Sequence, residues 1–211
     1  MAKGQFFPYR DENVSKSKPY ITTALILINA AIFLWSLLDF DHVINAYGFV
    51  PAQFAFLTIV TSMFLHGGFD HLFGNMWYLF LFGDNVEDRL GKLPYLAFYL
   101  ASGIAAALVH FATNPSSLIP TIGASGAISG VLGAYLVFYP QVRVHVFSYV
   151  YQGTVPAWAM IGFWFILQLV FGAMSLAGGA GSGIAFWAHV GGFVFGAAVA
   201  WLWMQLKGKE K

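Results

Sequence analysis

Six apolar stretches alternate with shorter polar segments along the chain. Each is close to the roughly 17–25 residues that an α-helix needs to cross the hydrocarbon core of a bilayer. The pattern therefore predicts an all-α, polytopic membrane protein with six transmembrane helices. The stretches are 21–38, 69–86, 93–112, 123–139, 155–176 and 185–206. Around them, residues 1–20 form a polar arm, 21–206 the membrane domain and 207–211 a short tail.

The basic residues orient this bundle. With six spans, all ten Lys and Arg residues fall in segments on one side of the membrane, and the three alternate connections carry none. By the positive-inside rule, both termini are cytoplasmic and the uncharged connections face outward. The basic residues are Lys3, Arg10, Lys16, Lys18, Arg89, Lys92, Arg143, Lys207, Lys209 and Lys211.

Two connections have patterns of their own. The first outward connection, 39–68, is strongly apolar. We expect it to lie partly in the outer interface as short helices with a turn around Gly48 and Pro51. The inner connection 141–154 alternates valines with polar residues, which predicts a short extended or irregular segment.

Composition excludes several classes of function. With 59% hydrophobic and only 9% charged residues, the chain is not an ordinary soluble domain. A net charge of +1 offers no basic platform for nucleic acid, and the absence of cysteine excludes disulfides and thiolate catalysis. The expected surroundings are therefore a lipid bilayer, and no cofactor is implied.

Glycines mark two of the predicted helices. Gly126, Gly130 and Gly133 recur at helical spacing in the fourth span, and Gly192 and Gly196 form a G-x-x-x-G in the sixth. Such stripes let helix backbones approach closely, so close packing is expected of these two helices in particular.

A serine opens the fourth span in the run Gly123-Ala124-Ser125-Gly126. On the first turn of a helix, unpaired N–H groups and the positive end of the helix dipole favour developing negative charge, which suits a nucleophile. The alternative is a helix N-cap within small-residue packing. Ser129, one turn further on, is a competing nucleophile that we interpret as a packing residue.

A histidine lies one turn into the sixth span, on the glycine stripe. Intramembrane histidines are rare and commonly functional, so His189 is a candidate general base for Ser125. The alternative is a structural hydrogen bond between helices. The fourth, fifth and sixth spans contain no acidic residue, so the two would act as a dyad without the orienting carboxylate of a triad.

The second span begins with further polar residues. His71 and Asn75 are four residues apart, so they share one helix face and could stabilise an oxyanion. Interhelical hydrogen bonding is the simpler alternative. Metal ligation by His66 and His71 is disfavoured, because a five-residue spacing does not align two ligands on a helix; no metal site is predicted. Because the second, fourth and sixth spans all run inward, these groups meet at similar depth in the outer half.

These motifs, in this order, resemble the bacterial rhomboid intramembrane serine proteases from about residue 21 to residue 206. The resemblance rests on G-A-S-G at 123–126, the His66, His71 and Asn75 block followed by G-D-N-V-E-D-R-L-G at 83–91, and A-H-V-G-G at 188–192. It implies Ser125 as nucleophile, His189 as general base, and the Ser125 N–H with His71 and Asn75 as the oxyanion hole. It also implies supporting roles for His66, Gly123, Gly126 and Gly192, and a multi-pass location in a bacterial inner membrane.

The sequence departs from that family in two places. No tryptophan-arginine pair occurs between residues 39 and 68, and Ser129 stands where some relatives carry a tyrosine that stacks on the catalytic histidine. The expected function is still cleavage of transmembrane protein substrates. A catalytically silent rhomboid-like protein that binds transmembrane helices, and a small transporter, are the alternatives.

Overall fold

The computed structural model describes residues 7–148, 152–177 and 183–208. Helices occupy all six predicted stretches: α1 (Tyr20–Ser36), α4 (Phe69–Leu90), α5 (Lys92–Thr113), α6 (Ser125–Phe138), α7 (Ala157–Leu176) and α8 (Phe186–Gly208). The start of the predicted arm, with Lys3, and the end of the tail, with Lys209 and Lys211, lie outside the described residues.

Three of these helices are long and apolar enough to cross a membrane, namely Lys92–Thr113, Ala157–Leu176 and Phe186–Lys207. Helices α1 and α6 are apolar but shorter. Helix α4 ends in a charged run that includes Asp84, Glu87, Asp88 and Arg89. A crossing of the bilayer by α1, α4 and α6 therefore stays a prediction.

The connection 39–68 contains the predicted short helices. It contains α2 (Phe40–Tyr47), a 3-10 turn (Pro51–Gln53) and α3 (Phe56–Ser62). Gly48 follows α2, and Phe49 is completely buried while its backbone pairs with Thr121. Val43 and Phe49 of this connection are thus buried, whereas Phe54, Phe56 and Leu57 stay exposed.

A small sheet departs from the all-α prediction. Strands β1 (Phe7–Asp11), β2 (Arg143–Phe147) and β3 (Gln152–Pro156) form an antiparallel sheet in the order β1-β2-β3. The extended segment predicted in 141–154 is β2, whose Val144 and Val146 are fully buried. Residues 7–11 of the predicted polar arm form the edge strand β1, which pairs with β2 far away in sequence.

Helix α6 lies at the centre of the bundle. Every residue from Gly126 to Tyr135 is buried, and α4, α5 and α8 pack around it. Its small residues allow this, because each glycine removes the side chain that would otherwise hold a neighbour away. The arrangement brings the first turn of α6 next to the first turns of α8.

A buried carboxylate near the C-terminal end of α4 links this helix to the start of α1. Glu87 is 1% exposed and accepts the backbone N–H groups of Ile21 and Thr22 at 3.0 and 2.7 Å. The first N–H groups of a helix have no intrahelical partner, so Glu87 caps α1 from another helix.

Candidate active site

The hydroxyl of Ser125 meets the imidazole of His189. Ser125 is the first residue of α6, His189 lies near the start of α8, and His189 Nε2 is 2.8 Å from Ser125 Oγ. Both side chains are half-buried. The sequence predicted close packing of both helices, and their contact with each other places a hydroxyl within hydrogen-bonding distance of a base.

Main-chain contact between α6 and α8 sets this distance. A methyl group built on Gly192 would overlap the carbonyl oxygen of Gly126, and one on Gly196 would overlap that of Gly130. Gly126 in turn faces Ala106 of α5, whose Cβ lies 2.6 Å from the position of an added methyl. Any side chain at these glycines would push the helices apart.

The turn before Ser125 also requires glycine. Gly123 has φ +120°, a conformation that L side chains rarely adopt, and its N–H donates to the Ser62 carbonyl at 2.9 Å. A Cβ at Gly123 would lie 2.8 Å from His71 Nε2 and 3.7 Å from Ser125 Oγ. The missing side chain leaves a small space bordered by both groups.

The protonation of His71 follows from its hydrogen bond. The backbone N–H of Gly67 donates to His71 Nδ1 at 3.2 Å, so in the neutral ring the proton lies on Nε2. Nε2 is the nitrogen that faces Gly123. His71 therefore offers a hydrogen-bond donor to the space beside Ser125.

Asn75 and His66 both contact His71. Asn75 is buried, and its Nδ2 donates to the His71 carbonyl at 2.8 Å, within the same helix. His66 is completely buried, with its ring centroid 5.2 Å from that of His71 in an edge-on arrangement. The structure thus places His71 beside Gly123 and the serine, and Asn75 and His66 beside His71.

The hydroxyl of Ser129 is hydrogen-bonded within α6 and not to His189. Ser129 is 1% exposed, and its hydroxyl donates to the Ser125 carbonyl at 2.7 Å. The ring nearest to His189 comes instead from α7, where the Trp164 centroid lies 6.0 Å away at an interplanar angle of 37°.

The contact of Gln168 with His189 was not predicted from the sequence. Gln168 Oε1 lies 2.8 Å from His189 Nδ1, and the residue is 8% exposed. The available signal was a single amide in the otherwise apolar run A-W-A-M-I-G-F-W-F-I-L-Q-L-V-F-G-A-M-S-L of α7.

A cavity of about 1040 Å³ opens onto these groups, and Ser125, His189 and His71 line it. Its wall also includes His110 of α5, which sequence reasoning overlooked and whose Nε2 lies 3.0 Å from Thr121 Oγ1. In the described part of the chain, no three His, Cys, Asp or Glu side chains are placed to hold a metal ion.

Comparison with known proteins identifies the class to which this bundle and site belong. The family model of the Rhomboid domain matches residues 53–206. The chain belongs to the rhomboid family and is a multi-pass membrane protein.

Individual relatives come from several sources. The chain is 30% identical over 195 residues to Rhomboid protein 1, mitochondrial, of Saccharomyces cerevisiae, which covers 89% of this chain and 54% of that protein. It is 25% identical over 205 residues to RHOMBOID-like protein 12, mitochondrial, of Arabidopsis thaliana, covering 86% and 57%. It is 40% identical over 85 residues to Rhomboid protease GluP of Bacillus subtilis, covering 40% and 16%.

The chain therefore spans little more than half the length of the two mitochondrial relatives. The relatives include mitochondrial as well as bacterial proteins. The chain is therefore assigned to the rhomboid family, and not to the bacterial rhomboids in particular. The names of the relatives support a protease.

Proposed function

We propose that this protein is an intramembrane serine endopeptidase that cleaves peptide bonds in or beside the transmembrane segments of other membrane proteins. The observation that carries the proposal is the 2.8 Å contact between Ser125 Oγ and His189 Nε2 on the wall of a large cavity. A silent binding protein would have no need of a hydroxyl and a base in this geometry.

The reaction is acyl transfer in two steps. His189 Nε2 takes the proton of Ser125 as Oγ attacks the substrate carbonyl, and the resulting imidazolium gives that proton to the departing amine. The C–N bond breaks and Ser125 holds the acyl group as an ester. Water then attacks the ester, His189 accepts its proton, and the proton returns to Ser125 as the carboxylic acid leaves.

The oxyanion of each tetrahedral intermediate occupies the space over Gly123. There it faces the N–H of Ser125, at the positive end of α6, and the Nε2–H of His71. The Gly67 hydrogen bond to Nδ1 supports this role, because it keeps the proton on the nitrogen that faces the serine. Asn75 holds the backbone of His71 and has a second amide hydrogen for the same region.

The proposed topology has six crossings with both termini in the cytoplasm. The asymmetric distribution of the ten basic residues supports it. Helix α6, with 14 residues, can be shorter than the bilayer is thick because protein surrounds it rather than lipid. A bacterial inner membrane, as the sequence resemblance implied, is the proposed location.

Serine-directed labelling tests the function. The full-length chain in detergent micelles should react with a phosphonofluoridate probe and cleave a model single-span substrate, and Ser125→Ala should do neither. Ser129→Ala is the matched control and should keep both activities. Labelling that persists in Ser125→Ala would reject the assigned nucleophile.

A further inference from the structure

Helix α7 presents two side chains, one turn apart, to the ring of His189. Trp164 lies beside the ring, and Gln168 reaches its second nitrogen, with Oε1 2.8 Å from Nδ1. Gln168 is 8% exposed, so its amide faces the bundle and not the lipid. This leaves both nitrogens of His189 with a partner, one from α6 and one from α7.

The amide oxygen can only accept a hydrogen bond, so its partner Nδ1 must carry a proton. In a neutral imidazole the other nitrogen then has the free lone pair, and that nitrogen faces the Ser125 hydroxyl. We propose that Gln168 is a positioning residue that holds His189 in the one tautomer able to take the Ser125 proton. The inference rests on the proposed protease function, and it adds to the Ser125–His189 pair a residue that orients the base.

Such a residue is needed in this chain. No aspartate or glutamate occurs between residues 123 and 206, so no carboxylate from α6, α7 or α8 can orient the ring. Ser129 does not orient it either, because its hydroxyl donates to the Ser125 carbonyl. Without Gln168, the two neutral tautomers would compete, and the one protonated at Nε2 cannot act as base.

A neutral amide suits the position better than a carboxylate. Helix α7 is apolar along its length, and an ionised group there would require costly removal from water. The amide still fixes the direction and tautomer of the ring. It gives less stabilisation to the imidazolium than a carboxylate does, so its removal should slow catalysis by less than loss of a triad aspartate.

The competing explanation is that Gln168 merely fastens α7 to α8. Two other contacts already do this. Trp187 Nε1 donates to the Gly172 carbonyl at 3.0 Å, and the rings of Phe165 and Phe193 stack at 4.2 Å between centroids. Loss of Gln168 should therefore leave α7 in place, so the two explanations predict different results.

The test compares Gln168→Leu, which removes the acceptor at nearly constant volume, with Gln168→Glu, which keeps an oxygen in place. Leu169→Ala, on the exposed side of α7, is the control for unrelated effects. Cleavage of a single-span substrate gives kcat and KM, and ¹⁵N NMR of histidine-labelled full-length protein gives the tautomer of His189. Its signal is assigned as the one missing from His189→Gln.

Wild type should be protonated at Nδ1 and unprotonated at Nε2. Gln168→Leu should lower kcat by about tenfold with KM unchanged and should mix the tautomers. Gln168→Glu should restore the Nδ1-protonated signal and bring kcat to within about threefold of wild type. Leu169→Ala should match wild type.

Three results would overturn the proposal: a wild-type His189 that is unprotonated at Nδ1, an unchanged kcat in Gln168→Leu, or an equal loss in both Gln168 variants without a change of tautomer. Failure of the protease function is distinguishable, because then wild type itself would neither react with the phosphonofluoridate nor cleave substrate.

Discussion

Gly192 of α8 touches the main chain of Gly126 of α6 so closely that an added methyl group would overlap the Gly126 carbonyl oxygen. Gly126 directly follows Ser125, and Gly192 lies about one turn after His189. The separation of the two helices therefore fixes the separation of the reacting groups, and the packing of the bundle and the chemistry of the site depend on the same atoms.

Gly192→Ala should lower both the stability of the bundle and the rate of substrate cleavage. Overpacking of this kind typically costs about 1–3 kcal/mol of stability, and a displacement of about 1 Å at the reacting atoms can cost about a hundredfold in rate. Thermal unfolding in micelles and substrate cleavage would measure the two effects. Gly162→Ala is the matched control, because nothing lies within 4 Å of an added methyl there. Equal activity of the two variants would contradict the proposed dependence on helix separation.

Gly123→Ala should abolish cleavage while the rest of the bundle stays folded. The added Cβ would fill the space between His71 Nε2 and Ser125 Oγ, and the φ of +120° would strain any L residue. We expect a loss of at least about a hundredfold in kcat, the scale of one oxyanion donor. Circular dichroism would check the fold, and turnover within about twofold of wild type would exclude this space as the oxyanion site.

His71→Ala should slow cleavage by about a hundredfold to a thousandfold, because it removes the donor that faces the oxyanion space. Asn75→Ala should leave the protein folded and slow cleavage by a smaller factor, since its amide donates to the His71 carbonyl within the helix. The measurement is kcat on a model transmembrane substrate.

His42→Ala, an exposed histidine of α2, is the control for removal of an imidazole. Unchanged turnover in Asn75→Ala would remove that residue from the mechanism.

Asp11 of β1 should make stability depend on pH. Burial raises its pKa from 3.8 to about 6, against the lowering effect of the Tyr135 hydroxyl, which donates to Oδ2 at 2.6 Å. Because the folded-state pKa is the higher one, protonation favours the folded state. This contribution is complete below about pH 4 and is lost as pH rises through about 6.

Thermal unfolding at pH 5 and pH 7.5 would test this in wild type, Asp11→Asn and the exposed-site control Asp41→Asn. Wild type and Asp41→Asn should both lose stability toward pH 7.5, and Asp11→Asn should lose less, because its amide does not ionise. The same pH slope in all three proteins would refute the role of Asp11.

Much of this protein could be predicted from local pattern. Apolar runs of bilayer length located the six helices, since that signal depends only on consecutive residues. The first-turn position of Ser125, the glycine stripe beside His189 and the helical spacing of His71 and Asn75 were likewise visible, because helical periodicity alone puts such residues on one face. These features sufficed to propose Ser125, His189, His71 and Asn75 as candidate site residues, but not Gln168.

Contacts between distant segments were decided only by the tertiary structure. Strand β1 pairs with β2 across more than a hundred residues, and neither segment alone indicates its partner. In the sequence, Gln168 is a single amide in an apolar helix. Its contact with His189 is visible only from the packing of α7 on α8. Local sequence determines which side chains share one face of a helix. Which side chains of another helix contact that face depends on how the helices pack, and the packing is determined by the shape and volume of all their residues together.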